Sequence, residues 1–169
     1  MDAIEAIKSR VSVRKFQSNE IPRAIMEDII DCGRLAPCGY NHQSWIFVVV
    51  TDRNLLMRIA RISKYGGFIK EAGACVAVFN KKDEETMIED ACAATENIII
   101  AAWAYGIGTC WVNSFLKSHS EGVKRILDCP DNYELITLIA LGYPAEATTT
   151  PKKQLAEVIR WNSFNGGCQ

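Results

Sequence analysis

Hydrophobic residues along the chain alternate between helical spacing and continuous strand-like runs. Residues 2–8 carry apolar side chains at near-helical intervals, and isoleucines recur at helical spacing after Pro22 until Pro37 stops the helix near Ala36. Continuous apolar runs rich in β-branched and aromatic residues indicate buried strands. We predict strands at residues 45–50, 74–79, 109–112 and 135–141. We predict further helices at residues 55–62, 83–105 and 121–127.

The longest predicted helix, residues 83–105, contains neither glycine nor proline. Its second half, residues 98–104, is apolar on every side, which is typical of a helix buried all round. We therefore expect a second copy of the chain to cover part of it. The tail after Pro151 is polar but carries Trp161 and Phe164, and we expect these anchors to pack on another surface. Helices separated irregularly by short strands favour an α+β fold.

The composition suits one compact domain. The chain has 169 residues, of which 49% are apolar and 23% charged, so it can form a core and disorder is not expected. The 19 Lys and Arg nearly cancel the 20 Asp and Glu, which argues against nucleic-acid binding through a broad basic face. No apolar run reaches the roughly 18 residues of a membrane span, and the start lacks a signal-peptide pattern. We expect a cytoplasmic protein without a membrane partner.

The cysteines are numerous but offer little specific chemistry. Their number is odd and no Cys-x-x-Cys pair occurs, so we interpret them as thiols in a reducing cytoplasm. With two histidines in the chain, we predict no metal site. Cys38, four residues from His42, and Cys110 are candidate nucleophiles, although a Cys-His pair also needs contact and an orienting third group. The seven thiols are Cys32, Cys38, Cys75, Cys92, Cys110, Cys129 and Cys168.

A basic strip follows the first predicted helix. Arg10, Ser12 and Arg14 occupy every second position of an extended segment, so their side chains point to one side. Two guanidinium groups flanking a hydroxyl suit a phosphate, because Arg donates paired hydrogen bonds. The same pattern also fits a solvated basic edge. Lys152 and Lys153 could close the other side of that phosphate or serve solubility alone.

Two glycine-containing turns differ in the chemistry they suggest. The loop at residues 39–45 contains Asn41 and Gln43, whose amides offer donors and acceptors to a planar heterocycle. Gly106 and Gly108 look like the start of a dinucleotide-binding fingerprint, but a helix precedes them, a strand follows and the third glycine is missing. We reject a Rossmann site and expect a helix C-cap and a close packing contact.

Several of these motifs occur in one order along nearly the whole chain. They are Arg10-Val11-Ser12-Val13-Arg14-Lys15-Phe16, residues 35–45, Asp90, Asn97, Ala101 and Ala102, residues 106–111, residues 141–144 and residues 151–153. In this order they resemble the nitroreductase family of flavin-dependent oxidoreductases. The resemblance implies a single domain over residues 1–169 with a central, mostly antiparallel sheet flanked by helices. It also implies an intertwined homodimer with a long buried interface helix.

The resemblance further implies FMN at each of two subunit interfaces, reduced by NADH or NADPH. FMN would perform the chemistry, so no catalytic side chain is expected. We expect a ping-pong reaction that passes two electrons to a small flat electrophile such as a nitroaromatic or quinone. By similarity, Arg10, Ser12, Arg14 and Lys152 hold the phosphate, with Lys153 as second choice. The other implied FMN contacts are Val11, the partner subunit's loop with Pro37, Cys38, Gly39, Asn41 and Gln43, and, near the reactive edge, Trp111, Asn113 and Ser114.

The chain departs from the family pattern at three places. The loop reads Gln43-Ser44-Trp45 where the family has Gln-Pro-Trp, and the short stretch before Ala72 leaves Lys64 and Tyr65 as candidates for the flavin pyrimidine contact. Long helical insertions are missing, so the acceptor is not identified. Two other functions stay open, namely a flavin-binding protein for storage or sensing without turnover, and a cysteine-rich interaction module without flavin.

Overall fold

The computed structural model describes residues 1–166 and contains a four-stranded antiparallel sheet between two layers of helices. The helices are α1 Ala3–Ser9, α2 Arg23–Arg34, α3 Arg53–Ile62, α4 Met87–Ala104, α5 Ser120–Ile126 and α6 Leu155–Val158. The strands are β1 Lys15–Phe16, β2 Ile46–Val50, β3 Ala74–Lys81, β4 Gly108–Asn113, β5 Tyr133–Gly142 and β6 Pro144–Glu146. Short 3-10 turns lie at Gly39–Asn41 and Gly67–Glu71.

The sheet has the strand order β2-β3-β5-β4, and each neighbouring pair is antiparallel. Alternate side chains of β3 point to opposite faces. Val76 and Val78 pack in the core formed with α2 and α4, whereas Ala77 and Phe79 pack in the core formed with α3 and α5. Apolar burial on both faces explains why β3 and β5 are continuous apolar runs. The predicted α+β fold with a mostly antiparallel sheet is confirmed.

The long helix α4 differs from its prediction at its start and in its burial. The predicted helix starts at residue 83, but α4 begins at Met87, and the residues before it form a turn-containing segment. Ile98 and Ile99 are buried, but Ala101 and Trp103 are only half-buried and the helix end is exposed. Within one chain this helix is therefore not covered on every side. Its cover by a second copy stays a prediction.

The basic strip is attached to the sheet at its β4 edge. The Val13 N–H donates to the Thr109 carbonyl at 2.8 Å, and Ser12 forms a parallel bridge with Thr109. Val13 is 1% exposed, while Arg10, Ser12 and Arg14 are half-buried or exposed. The predicted alternation therefore holds, since the apolar residue is inside and the polar residues point away from the core.

Three short elements had no sequence signal. Strands β1 and β6 form a separate two-stranded antiparallel sheet, in which Lys15 pairs with Glu146. Helix α6 has four residues with Gln154 at its N-cap. Elements of two to four residues are too short to show a hydrophobic period, so sequence reasoning did not find them.

Gly106 and Gly108 have the two structural roles expected from the sequence. Gly106 follows the end of α4 with φ +73°, a conformation that favours glycine. At Gly108 a Cβ atom would lie 2.6 Å from Val13 Cγ2 and 3.0 Å from Pro144 Cγ. The missing side chain lets the basic strip approach the sheet.

Six of the seven cysteines lie in the described part of the chain and are free thiols; Cys168 lies outside it. No helix within residues 1–166 combines the length and apolarity needed to cross a bilayer.

Replacing Gly108 by Ala should destabilise the fold by about 1 to 3 kcal/mol, because the new methyl group overpacks the buried, stiff side chain of Val13. Urea unfolding followed by circular dichroism measures this free energy. Gly67→Ala is the matched control, since a Cβ there meets no atom within 4 Å. In the double variant Gly108→Ala with Val13→Ala, the loss in free energy of unfolding should be smaller than the sum of the losses in the two single variants. An unchanged unfolding midpoint in Gly108→Ala would contradict the packing argument.

Candidate functional site

A cleft of about 760 Å³ lies beside β4, next to the basic strip. Side chains from the strip, from the segment after α3 and from the segment after β4 line it. Its positively charged residues are Arg14, Lys64 and Lys117, and its aromatic residues are Tyr65, Phe68 and Trp111. Within the described part of the chain, neither Asp nor Glu lines it. Flat rings among uncompensated positive charges suit a planar group that carries negative charge.

The cations of the cleft contact its aromatic rings. The Arg14 guanidinium carbon is 6.0 Å from the centroid of the Phe68 ring, and the Lys64 ammonium is 5.4 Å from that of Tyr65. Such contacts orient a charged group while leaving its hydrogen-bond donors available. The structure thus places Lys64 and Tyr65, the two candidates for the pyrimidine contact, in one cleft with Arg14.

The predicted phosphate residues of the strip lie near one another. Burial raises the pKa of the Cys110 thiol, while the positive charges of Arg14 and Arg10 partly oppose this. Arg14 lines the cleft together with Cys110. In residues 1–166 neither arginine forms an ion pair with a carboxylate, and Ser12 is exposed between them. The strip can therefore present its donors to an anion. Val11 is half-buried on the strip, and its predicted FMN contact stays a prediction.

The two C-terminal lysines are not joined to this strip within one chain. Lys152 and Lys153 are exposed, and neither forms an ion pair or a side-chain hydrogen bond in the described residues. They lie in an irregular segment, residues 147–154. Their contact with the phosphate stays a prediction.

The predicted residues after β4 divide into two groups. Trp111 and Asn113 line the cleft, as a cofactor contact requires. Ser114 is fully buried, its hydroxyl donates to the Val112 carbonyl at 3.1 Å, and its N–H donates to the Ile136 carbonyl at 3.1 Å. Both donors of Ser114 are thus engaged inside the protein, so its predicted contact with the flavin stays a prediction.

His119 lies behind Ser114 and is 4% exposed. Its Nε2 is 3.0 Å from the Ser114 hydroxyl oxygen, and because that hydroxyl donates to Val112, Nε2 donates to it. Burial and the nearby Lys117 ammonium lower the pKa of His119. A neutral imidazole therefore supports the segment that follows β4.

The loop formed by residues 37–44, called loop 37–44 below, does not line the cleft of its own chain among the described residues. Pro37, Asn41 and Gln43 are exposed, Cys38 and Gly39 are half-buried, and the Gln43 amide donates to the Asn41 carbonyl at 3.3 Å. The predicted flavin contacts of this loop therefore require a second copy of the chain, and they stay a prediction.

The arrangement does not support a thiol nucleophile. His42 does not orient toward Cys38 as its base, because its Nδ1 lies 2.6 Å from Glu84 Oε2. Burial raises the pKa of Cys110 and raises that of Cys75 to about 12, which keeps both thiols protonated at neutral pH. Within residues 1–166, three or more His, Cys, Asp or Glu side chains do not gather in a group that could hold a metal ion.

Sequence reasoning missed several residues of the cleft, among them Phe68, Lys117 and His119. Phe68 lies in the 3-10 turn Gly67–Glu71, and Lys117 and His119 lie between β4 and α5. Short turns show no hydrophobic period, and a single Lys or His carries no signal of its partners. The 3-10 turn and the segment between β4 and α5 are far apart in the sequence and meet only when the chain folds.

Comparisons with known proteins show which family the chain resembles in sequence and in fold. A sequence model of the Nitroreductase family matches residues 7–65 and 63–143. A protein of Methanothermobacter thermautotrophicus, provisionally named NADH dehydrogenase/NAD(P)H nitroreductase, is 33% identical over 151 residues, covering 86% of this chain and 79% of that protein. A nitroreductase of Bacteroides fragilis solved with bound FMN has a TM-score of 0.81 at 27% identity, covering 94% and 97% of the two chains.

A further solved structure supports the fold alone. It is an FMN-dependent nitroreductase of Clostridium difficile, with a TM-score of 0.90 at 24% identity, and the similarity covers 95% of this chain and 99% of that one.

Acid should destabilise the protein in part through His119. Because the folded state lowers the pKa of this imidazole, the unfolded chain binds more protons below about pH 6.5, and the free energy of unfolding falls there as pH falls. We expect the urea midpoint to drop between about pH 7.5 and about pH 5.5, and to drop less in His119→Gln, which does not titrate. An equal drop in both proteins would show that His119 is not the group responsible.

Proposed function

Because the chain belongs to the nitroreductase family, we propose that it is an FMN-dependent oxidoreductase that passes two electrons from NADH or NADPH to a small flat electrophile, such as a nitroaromatic or a quinone. The observation that carries this proposal is the cleft beside β4, which is lined by three cations and three aromatic rings and has no carboxylate in its described lining. The FMN reported for the Bacteroides fragilis protein supports the choice of flavin.

The residues present fit FMN at both of its ends. Arg10, Ser12 and Arg14 form an outward-pointing row without a carboxylate partner in the described chain, which suits a phosphate dianion. Lys152 is the proposed fourth donor to this phosphate. Trp111 and other aromatic residues provide apolar surfaces for a planar ring.

When bound, FMN would supply the redox chemistry by accepting a hydride from the nicotinamide and returning two electrons to the acceptor. Lys64 and Lys117 place positive charge in the cleft, and we propose that Lys64 stabilises negative charge at the pyrimidine of the reduced ring. The rings of Phe68 and Tyr65 contact the cations of Arg14 and Lys64 at the cleft wall. The chain then needs no nucleophile of its own, in keeping with the protonated thiols of Cys75 and Cys110.

We propose a ping-pong reaction, because one cleft would receive the nicotinamide and the acceptor in turn. The volume of about 760 Å³ has to hold the flavin ring and part of a second flat molecule. If the nicotinamide and the acceptor bind at the same site, a ternary complex of protein, donor and acceptor cannot form.

We also propose that the functional unit is a homodimer. Loop 37–44 lies outside the cleft of its own chain, so a second copy has to supply it. The half-buried apolar side chains of α4 and the exposed anchors Trp161 and Phe164, which are 54% and 91% exposed, provide apolar surface for such an interface. This surface also explains why α4 is apolar on faces that one chain leaves uncovered.

The purified protein should be yellow and should bleach when NADH or NADPH is added without oxygen. With a quinone as acceptor, initial-velocity plots at several donor concentrations should give parallel lines, because donor and acceptor alternate in one cleft. Converging lines would contradict the ping-pong proposal. A yellow protein that neither nicotinamide bleaches would support storage or sensing instead, and a protein that binds no flavin would contradict the proposed function.

Arg14→Ala should weaken FMN binding by about tenfold or more, because a charge-assisted hydrogen bond to phosphate contributes roughly 1.5 to 3 kcal/mol. Fluorescence titration of the flavin-free protein measures this affinity. Riboflavin, which lacks the phosphate, should bind wild type and Arg14→Ala almost equally. Arg125→Ala, which removes an exposed cation near the end of α5, is the control and should leave FMN affinity unchanged. Equal FMN affinity in Arg14→Ala and wild type would refute the phosphate assignment.

A further inference from the structure

We propose that Glu84 and Asp90 are positioning residues that hold loop 37–44 in the conformation that binds flavin. This inference rests on the proposed function, and it concerns two carboxylates outside the cleft that sequence reasoning did not assign to the cofactor. Both act on the loop through hydrogen bonds, so neither has to touch the ligand.

Asp90 anchors the start of the loop. Its Oδ1 accepts the Gly39 N–H at 2.9 Å, and its Oδ2 accepts the Thr86 hydroxyl at 2.9 Å. The side chain is buried in the first turn of α4, where the helix dipole also favours a negative charge. A Cβ atom at Gly39 would overlap the Thr86 hydroxyl, so this close approach requires glycine. The backbone of the loop is thus fixed against α4.

Glu84 anchors the end of the loop from the turn before α4. Its Oε1 accepts the Ser44 hydroxyl at 2.6 Å, and its Oε2 lies 2.6 Å from His42 Nδ1. Hydrogen bonds from Ser44 and His42 lower the pKa of Glu84, so the carboxylate is ionised at neutral pH. Ser44 stands where the family pattern has proline, whose ring would restrict the backbone angle φ. In this chain the hydrogen bond from Ser44 to Glu84 restrains the loop instead.

The residues between these anchors have an unusual backbone. Tyr40, Asn41 and Gln43 have φ values of 51°, 59° and 51°, in the left-handed region that residues other than glycine rarely adopt. Three such residues within four positions persist only where the surroundings hold them. The anchored residues Gly39 and Ser44 lie on either side of them, and the three side chains are exposed.

The consequence for binding is preorganisation. Asn41 and Gln43, the proposed amide contacts to the flavin, sit on backbone that is already ordered before the ligand arrives. A loop without its anchors would sample other conformations and would have to lose that freedom on binding, which weakens affinity. Because the amides are proposed to meet the ring, the loss should affect flavins with and without a phosphate equally.

The test compares Glu84→Ala and Asp90→Ala in the full chain, freed of flavin, by fluorescence titration with FMN and with riboflavin. Both dissociation constants should rise by the same factor, about tenfold or more. Glu84→Gln and Asp90→Asn keep acceptors for Ser44 and the Gly39 N–H, and should recover most of the affinity. Glu85→Ala is the control, because Glu85 is exposed and makes no hydrogen bond or ion pair in the described residues.

The outcomes separate this inference from a general structural role and from the proposed function. Urea midpoints of the flavin-free variants show whether each is folded. If Glu84→Ala is not folded, Ser44→Ala replaces it, and if Asp90→Ala is not folded, Thr86→Ala replaces it; both replacements should also weaken the binding of both flavins. Folded variants that bind both flavins as wild type does, or that lose affinity for FMN alone, would overturn the positioning role. A wild-type protein that binds neither flavin would overturn the proposed function together with this inference.

Discussion

The candidate site depends on the backbone pairing that attaches the basic strip to the edge of the sheet. The Val13 N–H donates to Thr109 on β4, and the absence of a side chain at Gly108 leaves room for Val13. This contact attaches the strip that carries Arg10 and Arg14 to the strand that carries Cys110, a residue far from both in the chain. A small packing change at Gly108 therefore acts directly on the position of the charges.

The charges of the cleft determine what it can bind. Uncompensated cations near one another repel and favour an anion between them, and aromatic walls favour a flat partner. In the described chain the arginines of the strip have no carboxylate partner. Lys124, which follows the cleft residues 117–119 in the sequence, is instead paired with Glu121 and Glu134. Positive charge is thus neutralised at the buried Lys124 and left available on the strip.

The remaining parts of the proposed site are held by contacts of a different kind. Asp90 and Glu84 bind the start and the end of loop 37–44 to the beginning of α4. The same helix carries half-buried apolar side chains toward its end. Helix α4 therefore links the loop to the surface on which the proposed second copy would pack.

Local patterns in the sequence were enough to predict most of the core elements. The continuous apolar run of β3 predicted a buried strand, and Val76 and Ala77 alternate between its two cores. The predicted helix at residues 55–62 is present as α3, and the side chain of Asp52 accepts the Leu55 N–H at its start. Likewise, the one-sided row of Arg10 and Ser12 follows from the period of an extended strip. These features depend on neighbouring residues alone.

The tertiary structure alone decided the contents of the cleft and the anchors of the loop. Lys117 and His119 reach the cleft from a turn without a period, and Glu84 leaves the predicted helix to bind Ser44 forty residues away. Such contacts join residues that are distant in sequence, and no local period records them. The sequence by itself determined which longer segments form helices and strands and which residues carry charge, because both depend on local spacing and residue type. Which charges meet was decided by the packing of segments far apart in the chain.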